Sequence, residues 1–327
     1  MRPTFSILFF TVMSGAGYGL LFLAGTAIAV DPRRLDPIAM LLALGLGVAL
    51  TVAGLISSLR HLGQPQRAWR AFSQWRSSWL SREGVAAVLC FAPALVLYTL
   101  VWRNALAMAM GALDAQTILA MRISGGALAA CALLTVFCTA RIYSSLKTLR
   151  AWHNAYVLPG YLLLGLLGGA SALWPIGAIT EDPNASLLPA PIAMLAIGCA
   201  VLKGAYWRYI DSAPQTPTIE SATGLGSFGA VRAAEAPHTE ENYLTHEMGF
   251  VLARKHSARL RTITLLLVGA VPAVLGACAA MRLLPAVACA AIVVPAVIAG
   301  SFVERWLFFA QARHVVMLYY GPDPARR

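Results

Sequence analysis

The chain has 327 residues, of which 59% are hydrophobic and only 12% are charged. Apolar stretches recur along its whole length, so the composition excludes a soluble globular protein and predicts a helical integral membrane protein. The formal net charge of +11 does not indicate nucleic-acid binding, because the cations lie beside the apolar stretches, where they face lipid headgroups or a docked partner.

Eight stretches are long enough to cross a membrane. A spanning helix needs about 20 predominantly apolar residues, because its backbone groups must hydrogen-bond within the segment. We therefore predict an all-α integral membrane protein, a bundle of eight transmembrane helices. The predicted spans are residues 5–30, 38–59, 84–102, 116–140, 155–179, 187–209, 262–281 and 284–303.

These spans divide the chain into three parts. Residues 1–209 carry six transmembrane helices, and residues 262–327 carry two more and a tail. Residues 210–261 form a long polar connection, which begins rich in Pro, Ser, Thr and Gly and then becomes charged. This change of composition predicts a loop followed by a short surface helix.

The distribution of positive charge predicts the orientation. Eight spans place both termini on one face, together with the second, fourth and sixth connections. Of the 25 Lys and Arg residues, we assign 20 to this face and Arg122 to the interior of a span, and only Arg33, Arg34, Arg103 and Arg282 fall in the opposite connections. Since cytoplasmic connections are enriched in Lys and Arg, we expect both termini in the cytoplasm.

The cysteines and histidines do not predict a metal centre. All six cysteines fall in predicted spans without a CxxC pair or a Cys/His cluster, so we expect no zinc, no iron–sulfur cluster and no other metal on this chain. A haem, which needs imidazoles within facing spans, is the less favoured alternative, because His61, His153 and His314 lie at span ends.

Ionisable groups at the ends of the spans, on the face rich in Lys and Arg, are candidates for a functional site. Such groups are rare inside transmembrane helices. No span shows an acidic residue at mid-depth, which argues against a small-solute carrier. Arg122 is the only ionisable residue that we expect to be buried within a span. The candidates are His61, Glu83, Arg141, His153, Glu304 and Arg305.

The second connection, SSLRHLGQPQRAWRAFSQWRSSWLSREG, favours a quinone site. Glu83 should be partly desolvated, so it should have a neighbouring Arg or His or take up a proton. Quinone reduction needs two electrons and two protons, and His61 and Glu83 could supply the protons. In the alternative interpretation, Trp69, Trp75 and Trp79 form an interfacial aromatic belt and the arginines only set the orientation.

Small residues predict close helix packing in two places. The segments GAGYG in the first span and GLLGGAS in the fifth place small residues about four positions apart, which lets helix backbones approach each other. Glycines and broken helices also occur in carriers, so these segments do not decide the function.

Four motifs resemble the membrane anchors of dimethyl sulfoxide reductase and its relatives. They are HLGQPQRA at residues 61–68, SRE at residues 81–83, the pair Arg141 and Tyr143, and a terminal segment with Glu304, Arg305 and Phe308. The resemblance covers all eight spans. In that family the anchor holds no metal or haem, and it exchanges electrons between the quinone pool and an iron–sulfur subunit, which connects to a molybdenum bis-pterin catalytic subunit.

The resemblance also implies roles for individual residues. Ubiquinone or menaquinone would bind, and protons would be handled, at a site formed by His61, Glu83, Arg67, Arg141, Trp79 and Tyr143. The iron–sulfur subunit would dock on Arg70, Arg76, Arg82 and Arg150. Lipid is the remaining expected partner.

Two features differ from the dimethyl sulfoxide reductase anchors. The connection at residues 210–261 is extra, and the charge bias places His61 on the cytoplasmic face, whereas that enzyme works on the periplasmic side. Both features, and the segment WRAFSQWRSSWLSREG, look more like the anchors of cytoplasmic sulfite dehydrogenases. We therefore expect sulfite oxidation to sulfate with quinone reduction in a bacterial inner membrane. The alternatives are an anchor that passes electrons from quinol to another molybdenum enzyme, a purely structural anchor, and a carrier.

Overall fold

The computed structural model describes residues 3–60, 62–109, 113–212, 218–232, 256–312 and 315–320. His61, His314 and most of the predicted surface helix therefore lie outside the described residues. Within these ranges, eight helices are long and apolar enough to cross a membrane, which confirms the predicted bundle. They are α1 (Phe5–Val30), α2 (Pro37–Leu59), α3 (Trp79–Ala109), α4 (Ala115–Ser144), α5 (Val157–Ile179), α6 (Pro189–Ser212), α7 (Ser257–Ala280) and α8 (Ala286–Ala310).

Several helices continue beyond the predicted spans on the face of the termini. Helix α3 begins at Trp79 rather than Gly84, and α7 begins at Ser257 rather than Thr262. Helices α4 and α8 end at Ser144 and Ala310, later than predicted. Hydropathy identifies only the part of a helix that suits hydrocarbon. The extensions carry polar and charged residues, and the candidate site lies among them.

Helix α1 lies at the centre of the bundle. Glycines allow its backbone to touch its neighbours, as the small-residue segments predict. A Cβ atom added to Gly19 would overlap the carbonyl oxygen of Gly165 on α5. A Cβ at Gly25 would lie 2.7 Å from the carbonyl oxygen of Gly125 on α4. No side chain fits at these contacts, so the positions require glycine.

Aspartates stabilise helix starts on the face opposite the termini. The Asp36 carboxylate accepts a 2.7 Å hydrogen bond from the Ala39 amide at the start of α2. Asp114 accepts bonds from the Thr117 amide and hydroxyl at the start of α4. These bonds satisfy amides that have no partner inside the helix. The Thr117 bonds also hold the pKa of Asp114 below its usual value.

The long connection begins and ends at an ion pair. Arg261 donates two hydrogen bonds, 2.5 and 3.0 Å long, to the carboxylate of Asp211 at the end of α6. Within the connection, a short helix at Ile219–Thr223 begins at Thr218, whose hydroxyl accepts from the Ser221 amide. Helix α7 includes a π-helical segment at Leu265–Ala270, just before Pro272. A proline removes a backbone donor, and a wider turn accommodates this loss.

Candidate functional site

Glu83 lies in the first turns of α3, close to the face of the termini. It is only 6% exposed. Its Oε1 lies 2.5 Å from the hydroxyl oxygen of Thr139 on α4. Among the described residues, no Arg, Lys or His forms an ion pair with this carboxyl group. Thr139 is the contact that sequence reasoning missed, because a threonine in an apolar helix gives no signal of its own.

Two arginines and a phenylalanine contact the ring of Trp79, which lies one helical turn before Glu83 on α3. The guanidinium carbon of Arg82 lies 4.2 Å from the Trp79 ring centroid, and that of Arg141 lies 5.2 Å away. The ring also packs edge-on against Phe137 at 5.9 Å between centroids. Cations attracted to the face of an indole in this way are held at a partly desolvated surface. Trp79 therefore connects the turn of α3 that precedes Glu83 to Arg141 on α4.

The second connection packs against the start of α3. Its segment Pro65–Phe72 forms a 3-10 helix, and the Phe72 ring lies 3.3 Å from the position of a Cβ added to Gly84. Arg67 is exposed in this segment. The residues that follow the His-Leu-Gly motif thus lie next to Gly84, the residue after Glu83.

Tyr143 lies one helical turn beyond Thr139, at the centre of an aromatic cluster. Its ring centroid lies 5.7 Å from that of Tyr161 on α5, in a stacked arrangement. It also contacts Phe308 and Phe309 on α8, at 5.6 and 5.3 Å. The cluster joins α4, α5 and α8, so Tyr143 connects the surroundings of Glu83 to the far side of the bundle.

A buried group of three charges lies on that far side. Glu304 on α8 forms ion pairs with Lys203 on α6 and with its neighbour Arg305, the latter at 2.7 Å between Oε2 and Nε. The three side chains are 2–7% exposed. The guanidinium carbon of Arg305 also lies 3.9 Å from the Tyr161 ring centroid. Buried charges persist only when they are paired, and here a single carboxylate serves two cations.

A small polar cavity adjoins Arg305. Its volume is about 20 Å³, which is room for about one water molecule. The Nη1 atom of Arg305 and the hydroxyl of Tyr161 are both buried beside it. The lining residues are Thr11, Val12, Tyr161, Leu164, Gly165, Ser301 and Arg305.

The structure corrects two expectations about buried charge. Arg122 is exposed, and its Nη2 donates a 2.5 Å hydrogen bond to the Val30 carbonyl oxygen at the end of α1. Lys203 is buried instead. Its signal in the sequence is a lysine set among apolar residues near the end of the sixth span, but only the fold shows that Glu304 faces it.

The remaining candidates lie on the face of the termini. His153 is exposed, and its Nδ1 lies 2.7 Å from the Ser144 carbonyl oxygen. Arg70 and Arg76 are exposed and lie over the rings of Trp69 and Trp75, whereas Arg150 is half-buried over Tyr209. Arg82 donates hydrogen bonds to the carbonyl oxygens of residues 75 and 76, so it also holds the shape of the connection.

The described part of the chain contains no group of three or more His, Cys, Asp or Glu residues that could hold a metal ion. All six cysteines are free. The described side chains at this face include a buried carboxyl group, hydroxyls, arginines and indoles, which can form hydrogen bonds, transfer protons and pack against a planar ring.

The profile of the DMSO reductase anchor subunit (DmsC) family matches residues 1–319, almost the entire chain. The chain belongs to this family. It is similar to a subunit of the sulfite dehydrogenase of Allochromatium vinosum, with 31% identity over 331 aligned positions that cover 98% of this chain and 99% of the relative. The resemblance seen in the motifs is thus confirmed, and this DmsC-family chain is a membrane anchor subunit of a multi-subunit oxidoreductase.

Proposed function

We propose that this anchor subunit accepts electrons from an iron–sulfur partner and reduces a quinone, in a complex whose molybdenum subunit oxidises sulfite to sulfate. The observation that carries the proposal is the buried Glu83 carboxyl group beside Trp79 and Arg141. This site lies near the face that carries most of the chain's positive charge. A quinone needs a ring slot, hydrogen-bond donors and protons there.

The residues divide these tasks by their chemistry. Trp79 presents an indole wall, and the guanidinium groups of Arg141 and Arg67 can donate to a quinone carbonyl oxygen. Glu83 holds a proton in a buried position, and His61, which lies outside the described residues, exchanges protons near neutral pH. Tyr143 closes the inner side of the site with its aromatic cluster. The bound quinone takes up two electrons and two protons.

The exposed cations of the second connection support docking of the partner. Arg70 and Arg76 are exposed beside exposed tryptophans, so they can meet an acidic surface of the iron–sulfur subunit near the quinone site. Arg150 contributes from the fourth connection, and Arg82 contributes by shaping the loop. Charged residues at such a rim mainly increase the rate of encounter.

The sulfite substrate is supported by the likeness to the Allochromatium vinosum protein over nearly the full length of both chains. The excess of Lys and Arg on the face of the termini supports a bacterial inner membrane with both termini in the cytoplasm. The iron–sulfur and molybdenum subunits then dock on the cytoplasmic side. Electrons flow from sulfite through these subunits to ubiquinone or menaquinone.

Purification of the chain from its native membrane tests this proposal. We expect an iron–sulfur and a molybdenum subunit to co-purify, and we expect the complex to reduce a quinone analogue when sulfite is added. Glu83→Gln should lower quinone reduction by about 100-fold or more, while sulfite still reduces a soluble dye. Glu181→Gln, at an exposed acid on the opposite face, is the matched control.

Other outcomes separate the alternatives. A complex that is active only with another substrate contradicts the sulfite assignment. A chain that purifies alone and transports a solute contradicts the anchor's electron-transfer role. Quinone reduction that survives Glu83→Gln contradicts the proposed site.

A further inference from the structure

The hydroxyl group of Thr139 contacts more acceptors than it can serve. Its oxygen lies 2.5 Å from Glu83 Oε1 and 3.0 Å from the carbonyl oxygen of Thr135. A threonine hydroxyl carries one hydrogen and can donate only one such bond, although it can accept others. In one of the two contacts, the hydrogen must therefore come from the group that Thr139 contacts and not from Thr139. A backbone carbonyl has none to give, whereas a carboxyl group has one when it is protonated.

The helix geometry indicates where the Thr139 hydrogen goes. A threonine inside a helix commonly donates to the carbonyl oxygen four residues earlier. One turn before Thr139, Thr135 donates to the Cys131 carbonyl oxygen at 2.8 Å. Thr51 on α2 makes the equivalent bond, also at 2.8 Å. The contact between Thr139 and Thr135 has the same form, so the hydrogen of the bond to Glu83 comes from Glu83.

The surroundings of Glu83 favour the same assignment. The adjacent Arg82 is turned toward the carbonyl oxygens of residues 75 and 76, and Arg141 lies over the Trp79 ring. An ionised carboxylate has about four positions for hydrogen bonds, but the described residues offer it only the hydroxyl of Thr139. Burying a charge with so little compensation is costly, and a neutral acid avoids that cost.

Among the described residues, the titratable groups that interact with Glu83 from the neighbouring helices α1, α4 and α5 are uncharged side chains. They lie on α1, α4 and α5, close enough to interact electrostatically with the carboxyl group, and none of them supplies a positive charge. These groups are Tyr18, Cys138, Tyr143 and Tyr161. The charged residues Glu304 and Arg305 lie beyond the Tyr161 ring, and they pair with each other.

We infer that Glu83 rests as a neutral carboxylic acid that donates its proton to Thr139, and that Thr139 is the positioning residue for this acid. The role of this proton rests on the proposed function, in which it is one of the two protons that the quinone takes up on reduction. The protonation state itself does not rest on it. Thr139 also fixes the orientation of the carboxyl group, because its own hydrogen is held by the helix.

Infrared difference spectroscopy of the purified complex tests the protonation state directly. The spectrum of the wild-type complex minus that of Glu83→Gln should contain the carbonyl stretch of a protonated carboxyl group at neutral pH. This band should shift when the complex is transferred to D₂O. A carboxylate band in its place, with no protonated carboxyl signal, overturns the inference.

Three variants on α4 test the role of Thr139. Thr139→Val keeps the shape and removes the acceptor, so the Glu83 band should shift and quinone reduction should fall about tenfold, the effect of one lost hydrogen bond. Thr139→Ser should restore both measurements. Thr135→Val is the matched control, because Thr135 is buried on the same helix face and makes the same helical bond without touching Glu83. An unshifted band in Thr139→Val overturns the positioning role.

The two proposals fail separately. A protonated Glu83 band in a complex that cannot reduce quinone supports this inference and counts against the proposed function. Quinone reduction that depends on Glu83, in a complex whose Glu83 gives only a carboxylate band, supports the proposed function and overturns this inference. The spectrum of the wild-type complex decides the protonation state even where a Thr139 variant fails to fold.

Discussion

Two buried glutamates near the membrane face that carries the termini differ in their partners. Glu304 is 2% exposed and pairs with both Lys203 and Arg305, whereas Glu83 is 6% exposed and contacts the hydroxyl of Thr139. Pairing with two cations keeps a carboxylate ionised, so Glu304 is fixed in one state and serves the structure. A carboxyl group without a cation can gain and lose a proton. The difference separates a structural charge from a functional one.

Replacing Glu304 should have the largest effect. Glu304→Gln leaves the cations of Lys203 and Arg305 buried without a counter-charge, which should lower the free energy of unfolding by about 3–5 kcal/mol. Thermal unfolding of the purified complex measures this loss, with Glu181→Gln on the exposed opposite face as the control. An unchanged unfolding temperature would show that the three charges are not coupled as described.

Replacing Lys203 should have a smaller effect, because Glu304 keeps its ion pair with Arg305. Lys203→Met retains the apolar stem and removes one charged hydrogen bond, so we expect a loss of about 1.5–3 kcal/mol. Chemical or thermal unfolding checks this value against that of Glu304→Gln. A loss equal to that of the glutamate variant would mean that Lys203 alone stabilises the carboxylate.

Replacing Glu83 should barely change stability, in contrast to Glu304. Glu83→Gln keeps the shape and a hydrogen-bonding group at Thr139, and removes no ion pair among the described residues, so the change should stay below about 1 kcal/mol. The same unfolding measurement checks this expectation beside the loss of quinone reduction. A loss as large as that of Glu304→Gln would erase the distinction between the two glutamates.

Replacing an exposed arginine of the second connection should have the smallest effect on stability. Arg76→Gln removes a solvent-exposed cation, and such charges contribute about 0–1 kcal/mol to stability. We expect unchanged unfolding and slower binding of the iron–sulfur subunit at low ionic strength, with the difference vanishing at high salt. Stopped-flow or surface-binding kinetics over a salt series measure this. Salt-independent binding in both proteins would exclude a docking role for Arg76.

Sequence reasoning predicted the architecture because the hydrocarbon layer imposes a strong and local requirement on each span. The eight helices follow from apolar length, and the small-residue segments that contain Gly19 and Gly165 indicated close packing without showing that they pack against each other. The helix ends were less accurate, because α3 and α8 continue into polar sequence that hydropathy does not detect.

The candidate site was predictable only in part. Glu83 and Arg141 were visible because ionisable residues stand out at span ends, and Trp79 stood out as an indole at an interface. Thr139 and Lys203 were not assigned, since their roles depend on which helices are neighbours, and this pairing is a property of the tertiary structure. Arg122 was wrongly expected to be buried because a position within a span does not indicate which side of the helix faces lipid.

The glycine contacts of α1 also constrain how the protein is made. This helix is synthesised well before α5, but its Gly19 surface packs closely against α5, which leaves the ribosome more than a hundred residues later. The nascent chain must therefore keep α1 available in the membrane, beside the translocon or a chaperone, while α2, α3 and α4 are inserted around it. The contact between α1 and α5 can form only after α5 has been inserted, so a chain shortened before that helix should be recognised by membrane quality-control proteases.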